Sequence, residues 1–269
     1  MKKGGDYYDL NYELIYNSVI VIESLGEDES KTGKELFDQV ISVRCKEREL
    51  LPYYKLVENK DEFFRALGDI KDAVLNKGHF PFLHFEMHGG DEGFRLASGE
   101  RVLYTELTDF CREINVFLKN KLLISIAACK GAAMYKMIDI NKPTPFFGII
   151  GPKKDMYNVD LLSDFGSFYD VLLLEHDLEA AIDALNRFQG FVDYAFIPAE
   201  MLWDRLSEHL KNNKRSSKKI FNDLKSRTID IFPTLNRSQR RAKLRQNISE
   251  HDQDAHREQV RRIFLMQSN

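Results

Sequence analysis

The sequence predicts an α/β fold: a mainly parallel sheet flanked by helices, followed by a helical C-terminal extension. Three observations predict it. Short β-prone apolar runs alternate with amphipathic helical patterns through the first two hundred residues. The runs themselves are almost continuously apolar, as strands buried on both faces are. Beyond Ile197 every pattern has a helical period and none alternates as a strand does.

Taken in order, Ser18–Leu25 (SVIVIESL) reads as a short buried strand and Thr32–Ile41 as a helix with Thr32 near its cap. Tyr53–Val57 is a second strand. Asp61–Asn76 carries Phe63, Phe64, Leu67, Ile70, Val74 and Leu75 at helical spacing. Phe80–Met87 is the third strand, and Thr105–Leu118 a helix bearing Leu107, Phe110, Cys111 and Ile114. Leu122–Ala128 is the fourth strand, Ala132–Ile138 a helix and Pro145–Ile150 the fifth strand. Leu162–Leu174 and Leu178–Phe191 read as helices, as do Pro198–Leu210, Lys218–Ile229, Arg237–Ile248 and Asp252–Met266. These patterns divide the chain into a domain over 1–197 and a basic helical extension over 198–269.

Composition narrows the function classes. With 43% hydrophobic and 30% charged residues in 269, the chain can bury a sizeable core. No apolar run exceeds about eight residues, less than half a membrane span, and Met1–Tyr8 has no apolar signal-like core. Three cysteines without paired spacing fit a reducing compartment, so a cytoplasmic protein is expected, with no membrane partner. The net charge of −3 hides an asymmetry. Residues 1–199 hold 23 Lys and Arg against 33 Asp and Glu, whereas residues 200–269 hold 16 against 9. The two parts carry opposite fields.

Chemistry concentrates at two strand ends. Phe80–Met87 runs into His88-Gly89-Gly90, and Leu122–Ala128 into Cys129-Lys130-Gly131. Adjacent parallel strands deliver their C-terminal ends to one edge, so His88 and Cys129 are expected side by side. A thiol beside an imidazole is an activated nucleophile. Gly131 permits a tight turn, and a helix after it would bring a positive end toward the sulfur, with Lys130 adding to the effect. The amides of Gly89 and Cys129 are candidate donors for an oxyanion. His84, Glu86 and His88 share a face by period-two alternation, so Glu86 is a candidate to orient a histidine. The blander readings are a buried cysteine closing a strand, and polar residues on a helix-covered face.

The pair His-Gly after one strand and Ala-Cys-x-Gly after the next resembles the caspase-like cysteine peptidases of clan CD, in particular the bacterial CHAT-type members. The similarity covers roughly residues 15–197, in strand order as well as motif. It implies a dyad with His88 as general base and Cys129 as nucleophile, and an oxyanion hole at the Gly89 and Cys129 amides. The Asp that often precedes the cysteine in metacaspase-type motifs is replaced by Ala127-Ala128, which removes one contributor to a basic-residue pocket. Asp155, Asp160 and Asp164, after the fifth strand, are candidates to bind a basic P1 side chain, against the plainer reading of a solvated loop. No cofactor or metal is implied. The resemblance further implies a protein or peptide substrate and an activating protein partner, in a bacterial defence or cell-death system.

Other signatures fit less well. Gly26–Glu35 sits where a phosphate-binding loop would, but six residues separate its glycines, three of them acidic, and Glu35 replaces the magnesium ligand. His251 and His256 lack metal-ligand spacing. The clusters Lys214–Lys219 and Arg237–Arg245 offer nucleic acid a backbone contact but few aromatics for stacking, so nucleic acid is the less favoured partner. The main alternative is an inert caspase-like binding or sensing module whose basic tail docks on a protein or nucleic acid.

Overall fold

The computed structural model describes residues 14–186, 193–212, 236, 238–239 and 250–267. The chain divides into two units, Met1–Asp139 with Thr144–Ala199, and Ile140–Pro143 with Glu200–Asn269. The first unit holds the sheet, and its strand order is β2-β1-β3-β6-β7-β8. Those strands are β1 (Ser18–Ser24), β2 (Leu51–Leu56), β3 (Pro81–Gly89), β6 (Leu123–Ala127), β7 (Gly148–Pro152) and β8 (Tyr194–Pro198). All neighbours along this order run parallel except β7 and β8. A hairpin of β4 (Gly93–Arg95) and β5 (Arg101–Leu103) branches antiparallel from the end of β3. The α/β class with a mainly parallel, helix-flanked sheet is therefore the observed one.

Burial explains the strand sequences. β1 is flanked by β2 and β3 and is buried at every residue, which demands the apolar run at 19–22. β2 lies at the edge, leaves Leu51, Tyr53 and Leu56 exposed, and tolerates Pro52 there. One face of the sheet packs under α1 (Thr32–Leu36), a π-helical turn at Phe37–Ile41, α2 (Ser42–Glu47), α5 (Asn158–Glu175) and α6 (Leu178–Leu185). Its core includes Val21, Phe82, Leu123, Ile150, Phe165, Phe168 and Leu172. The opposite face carries Phe85, whose ring lies 5.9 Å from that of Phe63 on α3 (Lys60–Lys77). α3 starts at Asn59, which accepts from the Glu62 amide at 3.0 Å, and stops at Gly78, whose φ of 67° ends the helix. α4 (Tyr104–Phe117) links the hairpin to β6.

Three strands and one helix type depart from expectation. The β4–β5 strands have three residues each, too short for a period to show. β8 falls between two expected helices, where no strand was expected, and it is antiparallel. The helix after Cys129 is a 3₁₀ helix over Gly131–Met137. In the second unit, α7 (Ala199–Asn212) and α8 (Glu250–Leu265) are helical. There the Trp203 and Phe264 rings lie 5.9 Å apart, and Arg257 donates to Ser207 Oγ at 2.6 Å. The expected helix Lys218–Ile229 and the cluster Lys214–Lys219 lie outside the described residues, as does nearly all of Arg237–Ile248.

Candidate active site

β3 and β6 pair in parallel from Phe82↔Leu123 to Glu86↔Ala127. Both strands run on toward the same edge, where His88 stands one residue before the end of β3 and Cys129 two residues past the end of β6. Gly89 shows how close the two chains come. A Cβ there would lie 2.6 Å from the Cys129 carbonyl oxygen and 3.3 Å from the Cys129 nitrogen. Only glycine fits that approach. On the other side of Gly89, the Gly90 amide bonds the Gly93 carbonyl at 3.1 Å and His88 pairs with Arg95. By the alternation of an antiparallel ladder, the Gly89 N–H then points away from β4, toward β6.

Cys129 follows β6 in a sharp turn. Lys130 is left-handed, with φ of 55°, and the Gly131 amide closes the turn on Ala128 O at 2.9 Å. Gly131 is obligatory for space, because a Cβ would sit 2.5 Å from Ile126 Cγ2. Cys129 is half-buried, whereas Cys45 and Cys111 are buried, and burial pushes both of those thiols up to about 12. Among the three, Cys129 is the cysteine with access to solvent. Its thiol donates to the Met156 carbonyl at 3.6 Å, in the segment between β7 and α5, rather than to His88. Lys130 turns to Asp91 at 2.9 Å in the β3–β4 turn, and the attraction lowers Asp91 and raises Lys130.

The His88 imidazole is held by a residue that no sequence motif marked. Its Nε2 lies 2.7 Å from Glu29 Oε1, in the loop between β1 and α1. The second oxygen of Glu29 accepts from the Gly26 amide at 2.6 Å. That amide, then the His88 bond and the charge on Lys31, hold the Glu29 carboxyl below its ordinary range. A carboxylate accepting at Nε2 selects the Nε2–H tautomer and leaves Nδ1 as the basic nitrogen. Glu86, the residue expected to orient a histidine, meets His84 at 3.2 Å, while Glu29 takes His88. His84, Glu86 and Ser125 are buried beneath the helices, as the blander reading of that face had it.

Of the three acidic pocket candidates, Asp155 stands apart from the other two. Asp155 is exposed, and its charge helps to raise Lys130. Asp160 lies in the first turn of α5, and Asp164 one turn on is buried, accepting from Tyr194 Oη at 2.7 Å. Burial raises Asp164, and the charges of Asp160 and Asp193 add to it. Asp193, absent from the sequence-based set, is nearly buried beside Lys154 Nζ at 2.8 Å. So Asp160, Asp164 and Asp193 form one group, at the sheet edge where β7 ends and β8 begins. Among the described residues no cluster of His, Cys, Asp and Glu is arranged to hold a metal ion. No described helix is long and apolar enough to cross a membrane.

No protein-family model matches the chain, and no curated protein does. Among solved structures it is similar to the complex of Porphyromonas gingivalis RgpB pro- and mature domains, at 12% sequence identity and a TM-score of 0.41. The likeness covers 64% of this chain and 43% of that one, so it spans less than half of the neighbour.

Proposed function

We propose that the chain is a caspase-like cysteine endopeptidase, with Cys129 as nucleophile, His88 as general base and Glu29 as the positioning residue for His88. The observation that carries this reading is the parallel pairing of β3 with β6 as far as Glu86↔Ala127, with Gly89 pressed against the Cys129 backbone just beyond it. In the reaction, His88 Nδ1 takes the Sγ proton and the thiolate adds to the scissile carbonyl carbon. The oxyanion is stabilised by the amides of Gly89 and Cys129. The C–N bond then breaks, the amine leaves with the proton held on His88, and a thioester remains. Water attacks the thioester while His88 removes its proton, which releases the acid and returns the thiol. No cofactor enters these steps.

The acidic group Asp160, Asp164 and Asp193, with Asp155 outside it, supports a preference for Lys or Arg at P1. The resting thiol is engaged by Met156 O, which supports an enzyme that is switched on by a protein partner. The resemblance of the chain's motifs to those of CHAT-type proteases supports a switch of this kind within an intracellular bacterial defence or cell-death system. The same Met156 contact also favours a second reading, an inert binding or sensing module of this fold. An acyloxymethyl ketone peptide probe, read by intact mass on wild type, His88→Ala and Cys129→Ala, separates the two. Labelling at Cys129 that requires His88 is the expected result. A Cys129 that stays unlabelled, alone and with candidate partner proteins added, supports the binding module.

A further inference from the structure

Beneath His88 the sheet is polar where an α/β core is ordinarily apolar. Glu23 on β1 is level with Glu86 on β3, and His84 on β3 is level with Ser125 on β6. All four are at most 3% exposed. Two carboxyl groups side by side in a core are costly unless donors meet them. Glu23 receives three: the Gly33 amide at 2.8 Å, the Lys34 amide at 3.2 Å and the Tyr54 hydroxyl. Glu86 receives the Thr32 hydroxyl at 2.7 Å and faces His84 Nε2. Beyond it, His84 Nδ1 meets Ser125 Oγ at 2.8 Å, which meets Tyr169 Oη at 2.7 Å. Gly33 admits this arrangement for lack of a side chain, since a Cβ there would lie 2.9 Å from Glu86 Cβ and 3.2 Å from Glu23 Cδ.

The placement of the Glu23 donors matters for the site above. The chain leaves β1 one residue after Glu23, makes the loop 25–31, and returns at Thr32 to begin α1. By binding the Gly33 and Lys34 amides, Glu23 ties the exit of that loop to its entry. Inside the loop, Lys31 Nζ donates to the Leu25 and Gly26 carbonyls, and Gly26 and Glu29 bond each other. The remaining oxygen of Glu29 is the one on His88. A buried carboxylate contributes less to stability than apolar packing of the same volume would. Fixing the stem of a functional loop is a use that packing alone does not serve.

We propose that Glu23 is a positioning residue for the His88–Glu29 pair, its buried carboxylate closing the stem of loop 25–31 so that Glu29 meets His88 Nε2. This inference rests on the cysteine peptidase reading. Its test uses the full chain labelled with ¹⁵N-histidine, in wild type, Glu29→Gln, Glu23→Gln and Tyr54→Phe, with His88→Ala identifying the His88 signals. The expected result is an Nε2–H tautomer at His88 in wild type, lost in Glu29→Gln and in Glu23→Gln. Tyr54→Phe, which leaves Glu23 two of its three donors, weakens the preference partly. Alkylation of Cys129 by iodoacetamide is followed in parallel. Glu23→Gln slows it by roughly tenfold to a hundredfold, the scale of a misplaced catalytic group. A folded Glu23→Gln with wild-type tautomer and alkylation rate overturns the inference. If Glu23→Gln does not fold, an unchanged tautomer in Tyr54→Phe overturns it. Alkylation that depends on His88 but not on Glu23 rejects this inference alone, whereas alkylation indifferent to His88 rejects the peptidase reading with it.

Discussion

At the scale of single residues, reactivity is set by access and by neighbours. Cys45 and Cys111 are buried with thiols pushed up to about 12, so in the native protein they stay unmodified while Cys129 is alkylated. Peptide mapping after iodoacetamide at pH 8 checks this, and modification of Cys45 or Cys111 at a comparable rate contradicts it. Glu29→Gln is expected to slow Cys129 labelling about tenfold while leaving the fold intact, because the amide no longer selects the Nε2–H tautomer. The pH dependence follows from the lowered Glu29 carboxyl. A depressed carboxyl contributes fully above its ordinary value of 4.5 and is lost only as pH falls through the lower, folded one. The Glu29–His88 contact therefore persists below pH 4.5, which a ¹⁵N titration of His88 reads directly. His88 and Cys129 stood out in the sequence because each ends an apolar run beside glycine. Glu29 did not, because it lies 59 residues from His88 in a loop with no period, among acidic residues that argued only against phosphate binding.

At the scale of elements, close approach and burial decide. Gly89→Ala places a methyl 2.6 Å from the Cys129 carbonyl oxygen, so β3 and β6 must part at their ends. The expected cost is about 1–3 kcal/mol in denaturant unfolding, with loss of probe labelling at Cys129. Retained labelling would show that the strand ends need not touch. Glu23 supplies a second check. Burial raises its carboxyl above 4.5, so its contribution to stability is present below that pH and declines as pH rises through the raised value. Unfolding of wild type and Glu23→Gln at a series of pH values should show this part of the slope absent from the variant. The parallel strands were legible because burial on both faces writes itself as unbroken apolar sequence. The hairpin β4–β5 and the strand β8 were not, since three-residue strands have no period and an antiparallel last strand has no signature of its own.

At the scale of the whole molecule, charge is unevenly shared along the chain, with the acidic excess in residues 1–199. A cationic probe is therefore expected to label Cys129 more slowly as ionic strength rises, whereas neutral iodoacetamide keeps its rate. Equal salt dependence of the two would remove electrostatic steering from the account. Asp164→Asn, which keeps an acceptor for Tyr194, should reduce labelling by an Arg probe relative to a Leu probe about tenfold. The alternation of strands and helices made the architecture readable at this scale, and the shared strand edge made the proposed dyad readable with it. Which acidic side chains gather was not readable. Asp193 joins Asp160 and Asp164 through the antiparallel pairing of β7 with β8, a contact between segments distant in sequence.

The register between β3 and β6 has one more consequence, for how such a chain tolerates changes of length. Side chains along a strand switch faces at every residue, so one residue inserted between Leu83 and His88 would carry the imidazole to the opposite side of the sheet. Glu29 and Cys129 would then both lose the imidazole. Two residues inserted there would restore the face but overshoot the thiol by about 7 Å. The turn at Asp91-Glu92, just beyond the glycines, is held by other means, the Gly90–Gly93 bond and the Asp91–Lys130 ion pair. Insertions and deletions within β3 are thus filtered by parity.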